Sequence, residues 1–313
     1  MSGDKKPPTA APALQPQILD GATGRVAVHA TDHATDHATD HATDRATDRP
    51  AADPWADWRR HTPARIALGR SGQSLPTAAV LQFAADHAAA RDAVHVALDR
   101  DALQQALNLA GFESLMVNSQ APDRQTYLRR PDLGRRLSDS SRSALRTLAQ
   151  TRASPPDPAA AAIDLAVVLA DGLSAWAAQR HGVALLSALR QALDVAVAEG
   201  QCPPWRWAPI GIATQARVAL GDEVGECLGA KLVLVLLGER PGLSAPDSLG
   251  AYLTHAPEVG RSDAQRNCVS NIRPDGLPPA QAALRLAWLL IESRRRSVSG
   301  VALKDNSTLP LLA

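Results

Sequence analysis

The strongest pattern along the chain is a set of short, unbroken apolar runs set between longer amphipathic stretches. Asp164–Ala170 (DLAVVLA) and Lys231–Gly238 (KLVLVLLG) each have the length and composition of one buried strand, and Pro209–Thr214 (PIGIAT) reads as another. Between the first run and PIGIAT, Val183, Leu186, Leu189, Leu193 and Val197 recur at helical spacing. Ser174 is placed to cap that helix and Gly200 to end it. Arg217–Leu220 reads as a short extended piece, Asp222 as the cap of a short helix through Ala230, and Pro278–Arg295 as a closing amphipathic helix. Continuous apolar strands interleaved with helices predict a parallel sheet covered on both faces. The C-terminal part is therefore expected to be α/β, a Rossmann-like parallel sheet covered by helices.

The section before it has a different texture. Thr77–Ala110 has helical spacing, with Leu81, Ala84, Ala88, Val94, Leu98, Ala102 and Leu109 as the inward residues, after turn chemistry at Gly69, Gly72 and Pro76. This Arg-rich, mostly helical section is expected to span residues 53–152. A Pro-rich break, ASPPDP at Ala153–Pro158, sets it apart from the α/β domain at 153–313. Residues 1–52 read as a disordered arm, because they offer little apolar surface to offset the entropy of ordering. The arm carries His-Ala-Thr-Asp four times, from His29, His33, His37 and His41, and then Arg-Ala-Thr-Asp from Arg45. In a helix those imidazoles would share one face and hold a divalent metal. Thr and Asp are weak helix formers, and slippage generates such tracts without selection, so no required metal site is expected.

Composition narrows the function classes. The chain has 313 residues, 45% hydrophobic and 21% charged, with a net charge of +1, so no strong field draws it to nucleic acid or anionic lipid. Arg294–Arg296 suits the negative end of the closing helix. Cys202, Cys227 and Cys268 are odd in number and widely spaced, which favours a reducing compartment over a disulfide framework. The opening residues MSGDKKPP lead into no apolar stretch, and Leu232–Leu237 is far short of the roughly 20 residues of a spanning helix. A cytoplasmic location is expected. Phosphate-loop, dinucleotide and hydrolase-elbow motifs are all missing. Asp86-His87 and Arg91-Asp92 read as surface or inter-helix pairs rather than an acid–base set. No catalytic residue is expected in this chain.

Ligands of open parallel sheets gather beyond the carboxyl ends of the strands, where Asp171-Gly172 and Glu239-Arg240 stand. On periodicity alone Glu239-Arg240-Pro241-Gly242 reads as a solvated charged turn, Cys268 as a small half-buried hydrophobe and Val218 as ordinary core. Five long stretches say more. They are TPARIALGRSGQSLPT (Thr62–Thr77), DHAAARDAVH (Asp86–His95), VVLADGLSA (Val167–Ala175), RVALGDEVGECLGAKLVLVLLGERPGL (Arg217–Leu243) and NCVSNIRPDGLPPAQAA (Asn267–Ala283). In order and without large gaps, they resemble the small subunit of ethanolamine ammonia-lyase from about Trp55 to Gly300.

The resemblance implies a subunit that pairs with a larger barrel subunit carrying the substrate site, with adenosylcobalamin at the interface between them. The reaction it implies converts ethanolamine to acetaldehyde and ammonia by radical chemistry. The family's cofactor contacts fall on the valine of RVALGD, the glutamate of GERPGL and the cysteine of NCVSNI, here Val218, Glu239 and Cys268. No Asp stands two residues before a His anywhere in the chain. Base-on cofactor is therefore expected, since the Asp-x-His-x-x-Gly stretch that supplies a cobalt ligand in many cobalamin proteins is missing. Some relatives begin with an amphipathic helix linked to packaging in a bacterial microcompartment, and residues 1–52 show no such helix. The rival reading is a stand-alone α/β module holding a corrinoid or nucleotide-like ligand. A third reading, metal buffering, would rest on the His repeat alone.

Overall fold

The computed structural model describes residues 55–62, 64–152 and 162–307. The repeat-bearing arm and the Pro-rich break lie outside the described residues. The strands are β1 Ser114–Asn118, β2 Leu165–Ala170, β3 Ile210–Thr214, β4 Leu232–Gly238, β5 Leu249–His255 and β6 Arg266–Ile272. They form one sheet in the order β1-β3-β2-β4-β5-β6. The first four in that order are parallel, while β4–β5 and β5–β6 are antiparallel. The helices are α1 Thr77–His95, α2 Arg100–Leu109, α3 Arg124–Arg129, α4 Asp139–Arg152, α5 Ala175–Ala198, α6 Leu220–Leu228 and α7 Pro279–Arg296.

The apolar runs contain a period-2 order in side-chain size. Leu165, Val167 and Leu169 of β2 and Leu232, Leu234 and Leu236 of β4 enter the core beneath α2, α5 and α7. Ala166, Val168 and Ala170, with Val233, Val235 and Leu237, enter a second core beneath α4 and α6. Helix α6 comes close to the sheet because it carries glycine: a Cβ at Gly221 would lie 2.1 Å from a methyl of Val235. Each fully buried Leu or Val contributes about 1.5–3 kcal/mol, so these two layers dominate stability.

The α/β fold is as expected, a mostly parallel sheet flanked by helices, to which β5 and β6 add an antiparallel edge. Several expectations need correcting. The 53–152 section is not only helical, since it supplies β1, which pairs with β3 from Ser114↔Ile210 to Asn118↔Thr214. The long helix expected over Thr77–Ala110 is two helices. Extended backbone at Val96 ends α1, and the Asp99 carboxylate accepts from Ala102 N at 3.0 Å to start α2. That restart resets the phase, so Leu103 and Leu107 point inward while Leu81, Ala84, Ala102 and Leu109 are exposed. Residues 217–220 form a turn rather than an extended piece, and the Asp222 carboxylate pairs with Arg266 instead of capping a helix. Ser174 Oγ likewise donates to Pro246 O at 2.7 Å rather than capping α5. Arg294 at the end of α7 stacks on Trp205 and pairs with Asp164 at 3.3 Å.

Candidate functional site

The turn that carries Val218 is held from several sides. Gln215 sits at φ +55°, a conformation side chains rarely adopt, and the buried Asp171 carboxylate fixes it there. That carboxylate accepts from Gln215 N at 2.9 Å and from Ala216 N at 3.2 Å. Tyr127 Oη donates to Ala216 O at 3.0 Å, and Arg217 N donates to Gly134 O at 2.8 Å. Arg124 joins this turn to its neighbours, donating to Gly172 O at 2.8 Å and Val94 O at 2.6 Å, with Asp171 at 3.5 Å. Burial pushes the Asp171 carboxyl up, against the pull of its N–H donors and of Arg124. Asp171, a ligand candidate by its position after β2, is thus engaged in holding backbone.

The next loop is locked to the first by close backbone approach. Gly172 has φ +53°, and a Cβ there would lie 2.2 Å from Gly238 O, while one at Gly238 would lie 2.0 Å from Ser174 O. Only glycine fits either place. This contact sets where Glu239 leaves the end of β4. Glu239 Oε2 accepts from Ser248 Oγ at 2.5 Å and from Asn271 N at 3.2 Å. Its Oε1 accepts no hydrogen bond among the described residues and overhangs Gly250, where a Cβ would lie only 2.9 Å away.

Cys268 is exposed on β6, directly across the strand pair from Tyr252 on β5. Cys268 keeps accessible surface, yet the protein atoms crowded around its thiol push it up, as burial does the Tyr252 phenol, and the nearby Glu239 pushes each further, so both are neutral at ordinary pH. Alternation along β5 and β6 places Gly250, Tyr252 and Thr254 beside Arg266, Cys268 and Ser270 on the face away from α5 and α7. Val218 and Tyr252, both half-buried, pack against the second core on that same face. A bidentate pair, Arg266 to Asp222 at 2.5 and 2.7 Å, ties α6 to β6 two residues before Cys268. Glu239, Tyr252 and Cys268 therefore stand near one another on this face of β5 and β6, and Val218 borders the second core on the same side of the sheet.

The family model for the ethanolamine ammonia-lyase light chain (EutC) matches residues 52–304. The chain belongs to that family. Ethanolamine ammonia-lyase small subunits are similar to it over most of their length. That of Pseudomonas syringae pv. tomato is 53% identical over 260 residues, covering 83% of this chain and 86% of the relative. That of Xanthomonas campestris pv. campestris (strain ATCC 33913) is 54% identical, covering 83% of this chain and 90% of the relative. That of Azotobacter vinelandii is 52% identical, covering 83% and 91%. Membership makes the chain a subunit in a lyase family, which favours the subunit reading over the stand-alone module; the metal-buffer reading falls on the His repeat, outside the described residues.

Tyr252 stands across from Cys268, and no motif in the sequence singles it out. Its signal was the alternation LGAYLTH, with Leu249, Ala251 and Leu253 facing the core and Gly250, Tyr252 and Thr254 facing away. Among the described residues no three His, Cys, Asp or Glu side chains stand together as metal ligands, and no helix is long and apolar enough to cross a membrane.

Proposed function

We propose that this chain is the cofactor-holding small subunit of an adenosylcobalamin-dependent ethanolamine ammonia-lyase, acting only in a hetero-oligomer with a large subunit that binds ethanolamine. The observation that carries the reading is the open patch around Tyr252. A corrin ring is broad and apolar on its faces and rimmed by neutral amides, so its holder needs flat apolar packing with a few acceptors. Val218 and the Tyr252 ring supply the packing, and the neutral Cys268 thiol adds a small polarizable wall without burying a charge. Glu239 Oε1, which accepts no hydrogen bond among the described residues, is left to accept from an amide or hydroxyl, a charge-assisted bond about twice as strong as a neutral one.

When bound, adenosylcobalamin supplies the radical chemistry, begun by homolysis of its cobalt–carbon bond. The residues of this chain orient it. Asp171, Arg124 and Tyr127 hold the Val218 turn, Ser248 and Asn271 fix the Glu239 carboxylate, and the Tyr252–Cys268 pair presents a rigid strand surface. Binding groups set on rigid strands and braced turns are already in the bound geometry, which reduces the entropy lost on binding. With no Asp-x-His-x-x-Gly stretch in the chain, this reading keeps dimethylbenzimidazole on cobalt. A histidine-nitrogen ligand in the EPR spectrum of the holoenzyme would refute that point.

The section from residue 55 to 83 supports the need for a partner. Trp55, Trp58, Leu75, Val80, Leu81 and Phe83 are all exposed large hydrophobics in one short stretch. An apolar surface of this kind marks an interaction site rather than a solvated face, and we assign it to the large subunit.

The deciding experiment measures acetaldehyde formed from ethanolamine and adenosylcobalamin by the cognate large subunit, with and without this chain. Activity that needs both chains is the expected result. Activity of the large subunit alone would end the proposal. Within the complex, Glu239→Ala should cost about 1–3 kcal/mol of cofactor affinity, and an unchanged Kd would remove Glu239 from the site.

A further inference from the structure

A cavity of about 450 Å³ opens beside the Val218 turn, lined by Ala219, the 259–263 loop and the guanidinium groups of Arg135, Arg136, Arg261 and Arg266. Resting on the cofactor-holding reading above, we propose that this cavity receives the phosphodiester of the cofactor's nucleotide loop, with Arg135 as its principal cation. Two connections join it to the patch around Tyr252. Ala219 is the neighbour of Val218, and Arg266 precedes Cys268 by two residues on the same face of β6.

The charge arrangement is what selects an anion. Four arginines line the cavity and one carboxylate, Asp263, joins them. The carboxylates that balance these cations lie elsewhere. Asp222 and Glu223 are buried behind the lining, where they hold Arg266 at 2.5 Å and Arg136 at 3.0 Å. Glu223 is shared with a further cation, Arg142 at 2.7 Å, so it is more than spent. Arg261 gives two donors to Ala256 O and meets Glu258 at 3.3 Å. Exposed Arg135 meets no carboxylate among the described residues. Buried carboxylates thus fix two guanidiniums as a frame, the Ala256 carbonyl and Glu258 hold a third, and Arg135 keeps its donor set for a ligand.

Chemistry then matches the cavity to one part of the cofactor. The corrin rim of adenosylcobalamin is made of neutral amides, and its anionic oxygens are those of the phosphodiester linking the corrin to its nucleotide base. Guanidinium groups recognise phosphate oxygens by paired, planar donation. The cavity begins at Ala219, the residue after Val218, so a cofactor held at Val218 would have this cavity as its neighbour.

The test titrates cyanocobalamin and dicyanocobinamide, which lacks the nucleotide loop and its phosphate, into the two-subunit complex by calorimetry. Arg135 is exposed, so Arg135→Gln leaves the fold intact. It should weaken cyanocobalamin binding by about tenfold or more while leaving cobinamide binding unchanged. Arg135→Lys, which keeps the charge, should restore most of the loss. Equal affinity of wild type and Arg135→Gln for cyanocobalamin would overturn the proposal. So would an equal loss for both ligands, because the effect would then not pass through the phosphate. A wild-type complex that binds neither ligand would overturn the cofactor-holding reading together with this one.

Discussion

Helices α1 and α5 are both long, alanine-rich and free of internal proline, yet they serve opposite ends. In the 24 residues of α5, ten are buried, from Ala175 to Ala196. In the 19 residues of α1 only Ala93 is buried, while Val80, Leu81 and Phe83 stay exposed. Helix α1 and the turn before it meet through Arg65, which pairs with Asp86 and lies over the Phe83 ring. The difference teaches where each helix finds its stability. Helix α5 is formed by the core it fills; α1 leaves apolar surface for something outside the chain.

The largest effect should come from the α/β body. Asp222→Ala leaves the Arg266 guanidinium buried without its carboxylate, and such a loss costs about 3–5 kcal/mol. Thermal melting of the purified chain checks it. Adding Arg266→Met to the same chain should recover most of the loss, and a double variant as unstable as the single one would show that packing, not charge, was broken.

The same truncation placed in each helix then tests the comparison directly. Leu189→Ala in α5 should cost about 2–5 kcal/mol, as a cavity in a filled core does. Leu81→Ala in α1 should stay within about 0.5 kcal/mol in the chain alone. In complex with the large subunit the order should reverse: Trp58→Ala with Phe83→Ala should weaken assembly at least tenfold by calorimetry, because aromatic anchors dominate interfaces. Unchanged assembly would mean that α1 faces solvent for some other reason.

The sequence made this contrast only half readable. Helix α5 and strands β2, β3 and β4 were legible because burial on both faces imposes an apolar pattern that needs no partner to interpret. In α1 the same spacing suggested Leu81 and Ala84 as inward, and they are exposed, because spacing shows that a helix has an apolar face but not what covers it. Strands β5 and β6 are harder to read because part of one face is exposed, so Cys268, Ser270 and Asn271 dilute the apolar signal. Val218, Glu239 and Cys268 came from family resemblance, since periodicity alone left them as core, turn and hydrophobe. Tyr252 could be placed only once β5 was paired with β6.

Acid should separate the two regions with the smallest perturbation. Asp164, fully buried at the start of β2, receives Arg206 at 3.0 Å, Lys231 at 3.0 Å and Arg294 at 3.3 Å, joining β2 to the entry of β4 and the end of α7. Burial pushes its carboxyl up, but these three cations and the Arg206 backbone N–H hold it below the usual carboxylate value. A carboxyl whose folded pKa is depressed stabilises the fold fully above its unfolded value, about 3.9, and loses that contribution as pH falls through the folded value. Wild-type melting temperature should therefore drop faster than that of Asp164→Asn below about pH 4, and the gap between them should narrow. Parallel melting curves for wild type and Asp164→Asn from pH 5 to pH 3 would show that acid opens the body somewhere other than this junction.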